Sequence, residues 1–188
     1  YLLDSLVLTG LRGVKLEGSG SDVTRLLSTG KAYSFIQVGK EGATGSLSQK
    51  LSVKHSHFSR FRIESKSQAT SIGLSISNCQ DNIFEQIEIN NFSTNLKIQF
   101  SWINTFSNLR LMNFKTYGVL LTGRGLNANQ FNTCRATSPK SGTVAYKVEG
   151  NSINFNNCTA EGGGIGWEFG QCKLANLTAC HSERGVIF

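Results

Sequence analysis

Apolar residues recur along this chain as a six-residue unit: an apolar residue, two of any kind, a second apolar residue, one of any kind, and a third apolar residue. The unit is plainest in "NIFEQIEINNF" and "NTFSNLRLMNF", where Phe84, Ile87 and Ile89 match Phe106, Leu109 and Leu111. Six more copies fit it: Leu11, Val14, Leu16; Tyr33, Ile36, Val38; Phe58, Phe61, Ile63; Phe131, Cys134, Ala136; Phe155, Cys158, Ala160; and Leu174, Leu177, Ala179. Successive copies lie 22, 25, 26, 22, 25, 24 and 19 residues apart. Self-similarity at such a period marks a solenoid.

The last two apolar positions of each copy stand two apart with a polar residue between, which is strand periodicity. A second alternating run follows most copies, as in Ile72, Leu74, Ile76, then Leu96, Ile98, Phe100, then Val144, Tyr146, Val148 and Ile165, Trp167, Phe169. The expected architecture is all-β: two strands per turn, stacked into parallel sheets, in a right-handed parallel β-helix of about eight coils. Corners rich in Gly, Ser and Asn fit it, with Asn91 and Asn113 placed to take left-handed backbone. The aromatic first positions, Tyr33 through Phe155, predict one internal stack. Helical periodicity is missing from the corners, which excludes a leucine-rich repeat.

One Pro and 20 Gly in 188 residues suit stacked strands and tight corners. The chain opens on "YLLDSLVL" inside an alternating pattern and stops at "GVIF" within a second strand. Without a polar cap at either end, it reads as one domain and a piece of a longer chain. "GKEGATGSLSQK", Gly39 to Lys50, reads as a loop bulging from the third coil. The charge of +7 is dispersed, which favours anionic partners without the basic block of a nucleic-acid binder. No apolar run is long enough to span a bilayer. Of five cysteines, Cys134 and Cys158 sit at core positions and read as small buried hydrophobes, consistent with folding in a reducing compartment. Asn91, Asn157 and Asn176 begin N-x-S/T triplets that corner asparagines explain.

"YLLDSLVL" followed by "GVKLEGSGSDVTRLL", with Gly18, Gly20 and Thr24, resembles the opening of pectate-lyase-like β-helix domains. Within that superfamily the chain looks most like the β-helix of bacteriophage tailspikes, trimeric proteins that bind and often cleave bacterial surface polysaccharide. The resemblance implies a homotrimer in the virion tail, folded in the bacterial cytoplasm, that acts on an anionic surface polysaccharide without a cofactor. A non-catalytic receptor-binding shaft and a secreted polysaccharide lyase stand as alternatives. Calcium-dependent lyases of the superfamily need clustered acidic residues, and here Asp4, Asp22 and Asp81 lie far apart.

The residue between the last two core positions points outward. Coil by coil it is Lys15, Gln37, Arg62, Glu88, Arg110, Arg135, Thr159 and Thr178. Arg62, Glu88, Arg110 and Arg135 therefore predict an axial stripe whose arginine forks match sugar carboxylates. The second strand's outward column includes Ser75, Gln99, Lys147 and Glu168, and Trp102 lies beyond as a face on which a sugar can stack. Glycosidic cleavage needs two carboxyl groups at a controlled separation. Glu168, on a strand, is the expected member of that pair, with Glu161 or Glu183 at neighbouring corners. His55 and His57 supply two metal ligands and no third, so no metal is expected. His181 has no partners for a triad.

Overall fold

A computed structural model describes residues 1–42, 49–66, 71–123 and 125–187. Each turn of the chain contributes one strand to each of three parallel sheets. In a central turn these are Glu88–Asn90 of the first sheet, Thr94–Gln99 of the second and Thr105–Ser107 of the third. The first and second sheets hold eight strands each and the third holds seven. Seven complete turns and two strands of an eighth therefore make a right-handed β-solenoid, close to the expected eight coils.

The sequence reading treats the six-residue unit as one strand, and the structure splits it between two. Phe84 lies on Ile83–Glu85 of the third sheet, and Ile89 lies on Glu88–Asn90 of the first. Between them the chain bends at Gln86, whose φ is +53°. The equivalent residues Arg60, Asn108, Thr133, Asn157 and Ala179 also have positive φ. A single left-handed residue thus turns the chain through a corner without a loop, which is why apolar spacing cannot distinguish the bend from a continuous strand. Asn91 and Asn113 take the left-handed conformation expected of them, at φ +68° and +53°.

Register confirms the five central copies and corrects the three outer ones. Phe58, Phe84, Phe106, Phe131 and Phe155 align rung on rung. Their rings stack with centroids 4.9, 5.1, 4.6 and 4.9 Å apart. At the N-terminal end it is Leu16, not Leu11, that pairs with Phe58. Ile36 and Val38 belong to the second sheet, where they align with Leu74 and Ile76. Tyr33 accordingly stays outside the aromatic stack, 67% exposed. At the other end Leu177 pairs with Phe155, displacing the expected Leu174. The turn from Leu16 to Phe58 is 42 residues long, and the expected loop falls within it, in the second turn rather than the third. Residues 43–48 of that loop, and Phe188 of the closing "GVIF", lie outside the described residues. Phe100, expected inside, takes φ +47° beyond its strand and is exposed.

A buried polar column runs beside the stacked rings. Asn104 Oδ1 accepts from the backbone N–H of Asn82 at 3.1 Å and from its side-chain amide at 3.0 Å. Asn129 Oδ1 accepts from Asn104 in the same way, at 3.1 and 3.0 Å. Ser56 N–H donates to Asn82 Oδ1 at 2.9 Å, and Val14 N–H to Ser56 Oγ at 3.2 Å. At this corner the backbone leaves the sheets, and buried N–H groups need another acceptor. The amide side chains supply it one rung at a time.

Cys79, Cys134 and Cys158 are buried free thiols, as expected of Cys134 and Cys158, whereas Cys172 and Cys180 are half-buried. Burial pushes the Cys79 thiol up to about 12 and lifts Cys134 well above the ordinary thiol range. Only a thiolate attacks a disulfide reagent readily. In the native protein at pH 8, Cys172 is expected to react first with an aromatic disulfide and Cys180, whose thiol burial also raises, more slowly. Cys79 and Cys134 react only after unfolding, and Cys158, whose thiol the hydrogen bond with Cys134 lowers, is shielded by burial alone. Labelling followed by peptide mass mapping checks this; prompt reaction of Cys79 contradicts the core.

Candidate functional site

The bend that joins the third sheet to the first lines two concavities that follow one another along the rod. One cavity of about 400 Å³ is lined by Gly20, Ser21, Asp22, Val23, Arg60, Gln86, Ile87, Glu88, Asn108 and Arg110. A second, of about 380 Å³, begins at the same Asn108 and Arg110 and continues along Thr133, Arg135, Asn157, Thr159 and Glu161. Together they follow the rod axis. Bend residues form one wall and outward residues of the first sheet form the other, so each coil repeats a similar pair of positions.

A short loop closes the N-terminal end. Gly18 N–H donates to Ser59 O at 2.9 Å and Gly20 N–H to Arg60 O at 3.0 Å, which seats the loop on the next coil. A Cβ on Gly18 would stand 2.3 Å from Arg60 O, so only glycine fits there. Ser19 N–H donates to Thr24 Oγ1 at 2.9 Å, tying the loop's two ends.

Along the first sheet, Arg25, Arg62, Glu88, Arg110, Arg135 and Thr159 align in one outward column. The expected stripe is therefore in register from Arg62 to Thr159, with Arg25 as an addition. Lys15 and Thr178 instead belong to the third sheet and Gln37 to the second, because the outer copies were displaced.

The charges of the column are mutually engaged. Glu88, with its side chain 4% exposed, lies 3.0 Å from Arg62 Nε and 3.5 Å from Arg110 Nη1. Arg62 Nε also reaches Glu64 at 3.4 Å. Arg135 donates to Glu161 through Nε at 2.9 Å and through Nη2. A carboxylate removed from water between guanidinium groups is compensated, and its loss leaves the arginines to repel one another.

The remaining predicted residues are placed elsewhere. Glu168 and Lys147 sit on adjacent rungs of the second sheet's outward column and form an ion pair. Its hydrogen bond to Glu168 holds the Lys147 ammonium above the usual lysine range. Lys97 fills the outward position in that column that had been expected of Gln99, which pairs instead with Ser77. Glu161 lies on the first sheet and Glu183 directly follows that sheet's last strand, His181–Ser182, where it accepts from Gly162 N–H at 3.1 Å. The structure thus brings Glu161 and Glu183 to neighbouring turns beside the first sheet and leaves Glu168 on the second. Trp102 is half-buried at the corner between the second and third sheets, where it bridges Gln80 and Asn127. His55 and His57 each meet a carboxylate, Asp81 and Glu85, both at 2.8 Å. Among the described residues no three His, Cys, Asp or Glu side chains are grouped to hold a metal. None of the described helices is long and apolar enough to cross a membrane.

Sequence reasoning missed the bend residues as a wall. Gln86, Asn108, Thr133 and Asn157 were legible as the polar residue two places after each aromatic, but nothing in the spacing said that they share a surface with the arginines. That follows from the left-handed bend.

No protein-family model matches this chain, and no curated protein sequence matches it. A solved structure titled Geobacillus virus E2 ORF18 is similar over 97% of this chain and 55% of its own length, with a TM-score of 0.40 and 11% sequence identity. The chain thus spans little more than half of that protein.

Proposed function

We propose that this solenoid is a phage tail-associated rod that binds bacterial surface polysaccharide along the groove between its third and first sheets. The observation that carries the binding part is the axial pair of cavities sharing Asn108 and Arg110, lined by amides, hydroxyls and paired charges at rung spacing. A hydroxylated polymer needs many donors and acceptors in a repeating, pre-formed track, and the coil supplies one set of positions per turn. The tail location and a homotrimeric assembly come from the resemblance of the chain's Asn-rich, Cys-tolerant, Pro-poor coils to tailspike β-helices. Leu120 and Ile187 lie in the outward column of the second sheet, where a subunit contact would cover them.

Cleavage is the second reading, favoured by one observation: Glu161 on the first sheet and Glu183, just past that sheet's last strand, lie on successive turns, with Glu183 bonded to the Gly162 N–H beside Glu161. Immobilised chain is to be offered purified capsular and O-antigen polysaccharides, and the eluted polymer sized by gel filtration. Binding with unchanged polymer length is expected of a shaft, and shortened chains of a hydrolase; no binding to any polymer overturns the proposal. If chains are shortened, Glu161→Gln is expected to abolish shortening while binding persists. Glu168→Gln, on the other sheet, tests the alternative placement.

A further inference from the structure

We infer that the groove selects a heteropolysaccharide in which single carboxylated sugars are separated by neutral ones, and that Arg110 reads the carboxylate. This rests on the glycan-binding reading and narrows its ligand. Although the chain carries a charge of +7, the two cavities are lined by three arginines, Arg60, Arg110 and Arg135, and three carboxylates, Asp22, Glu88 and Glu161. The track has no net charge to attract a polymer bearing an acid on every sugar.

The three arginines are similarly exposed, Arg60 at 48%, Arg110 at 59% and Arg135 at 56%, but they are not equally engaged. Arg60 reaches Glu17 at 3.3 Å and donates to Ser19 O at 3.4 Å. Arg135 is engaged through two nitrogens by Glu161. Arg110 makes one long contact, 3.5 Å to Glu88, and its side chain stays 59% exposed. Glu88 is in turn closer to Arg62, at 3.0 Å. Arg110 therefore presents a guanidinium edge free for two-point contact with a carboxylate. The wall beside it offers Asn108 and Thr133, neutral groups suited to hydroxyls. A second acid placed further along would meet Glu161 or Glu88, and like charges at close quarters oppose binding.

The test uses the intact chain on an array of purified capsular and O-antigen polysaccharides, with polygalacturonate and dextran as the fully acidic and neutral probes. Binding is expected on polymers with one uronic acid per repeat of mainly neutral sugars. Arg110→Gln is expected to weaken it about tenfold or more, and Arg110→Lys, which keeps the charge and loses the fork, to weaken it less. An unchanged melting curve for both variants shows that the coil is intact. Reducing the polymer's carboxyl groups with carbodiimide and borohydride is expected to match the Arg110→Gln loss, whereas binding that survives reduction points to phosphate and overturns the carboxylate assignment. Best binding to polygalacturonate or dextran, or indifference to Arg110→Gln, overturns this inference and leaves the glycan reading standing; an array with no binding at all overturns both.

Discussion

Replacing Asn104 by Asp is expected to unfold the middle of the rod more severely than replacing it by Ala. Asn104 is fully buried. Its Oδ1 accepts from Asn82 N–H, and its Nδ2 donates towards Cys79 O, Trp102 O and Asn129 Oδ1 at 3.2, 3.2 and 3.0 Å. Alanine orphans the Asn82 N–H and removes the side chain's own bonds. An unsatisfied buried group costs about 1–3 kcal/mol and each lost bond about 1 kcal/mol, giving a loss of about 3–5 kcal/mol. Aspartate keeps the shape and still accepts from Asn82, but turns a donor into an oxygen facing three other oxygens, and buries a charge with no cation beside it. Urea unfolding of the three proteins checks the order: wild type above Ala above Asp. An Asp variant as stable as wild type would mean that the asparagine column is solvated.

Phe106→Ala is expected to cost about 3–5 kcal/mol, the usual penalty for truncating a fully buried phenylalanine. Its ring lies between Phe84 and Phe131, with centroids 5.1 and 4.6 Å away. Removing it deletes two stacking contacts and leaves a void that the rungs on either side, held in register by the backbone, cannot close. Tyr33→Ala is the contrasting variant. The apolar pattern gives Tyr33 the same status as Phe106, but the exposed side chain predicts a change within about 0.5 kcal/mol. Paired denaturation curves separate the two accounts, and equal losses at both positions would restore Tyr33 to the stack.

The middle of the molecule was legible in the sequence and its ends were not, for a physical reason. Five central turns of 22 to 26 residues repeat with phenylalanine at the same place, so composition and spacing agree. In the second turn the long loop breaks the spacing. There, the alternation of Ile36 and Val38 on the second sheet imitates the unit, because every strand alternates with the same period. At the far end the phenylalanine is replaced by Leu177, and Leu174, three residues earlier, competes for its place. The three-sheet cross-section was hidden because a one-residue bend leaves no gap in the apolar pattern.

The candidate surface was half legible. Arg62, Glu88, Arg110 and Arg135 follow from the outward position of a strand, and their alignment needs only the repeat. Their inequality does not: Glu161 engages Arg135 and Glu88 turns towards Arg62 because of side-chain positions on neighbouring rungs, which no single copy reveals. Glu168 and Lys147 were legible as members of one outward column of the second strand, and the structure adds that they stand on adjacent rungs and form an ion pair.

Footprinting with bound ligand is the most direct test that a polysaccharide lies between the third and first sheets. The array's best-binding polysaccharide is added to the chain, arginines are modified with a dicarbonyl reagent and other side chains with hydroxyl radicals, and protected sites are read by peptide mass mapping. Protection of Arg110, with Thr133 and Arg135 beside it, and unchanged reactivity of Trp102 and Tyr117, is the predicted result. Protection centred on Trp102, or on the second sheet around Lys147 and Glu168, with Arg110 still open to reagent, would contradict it.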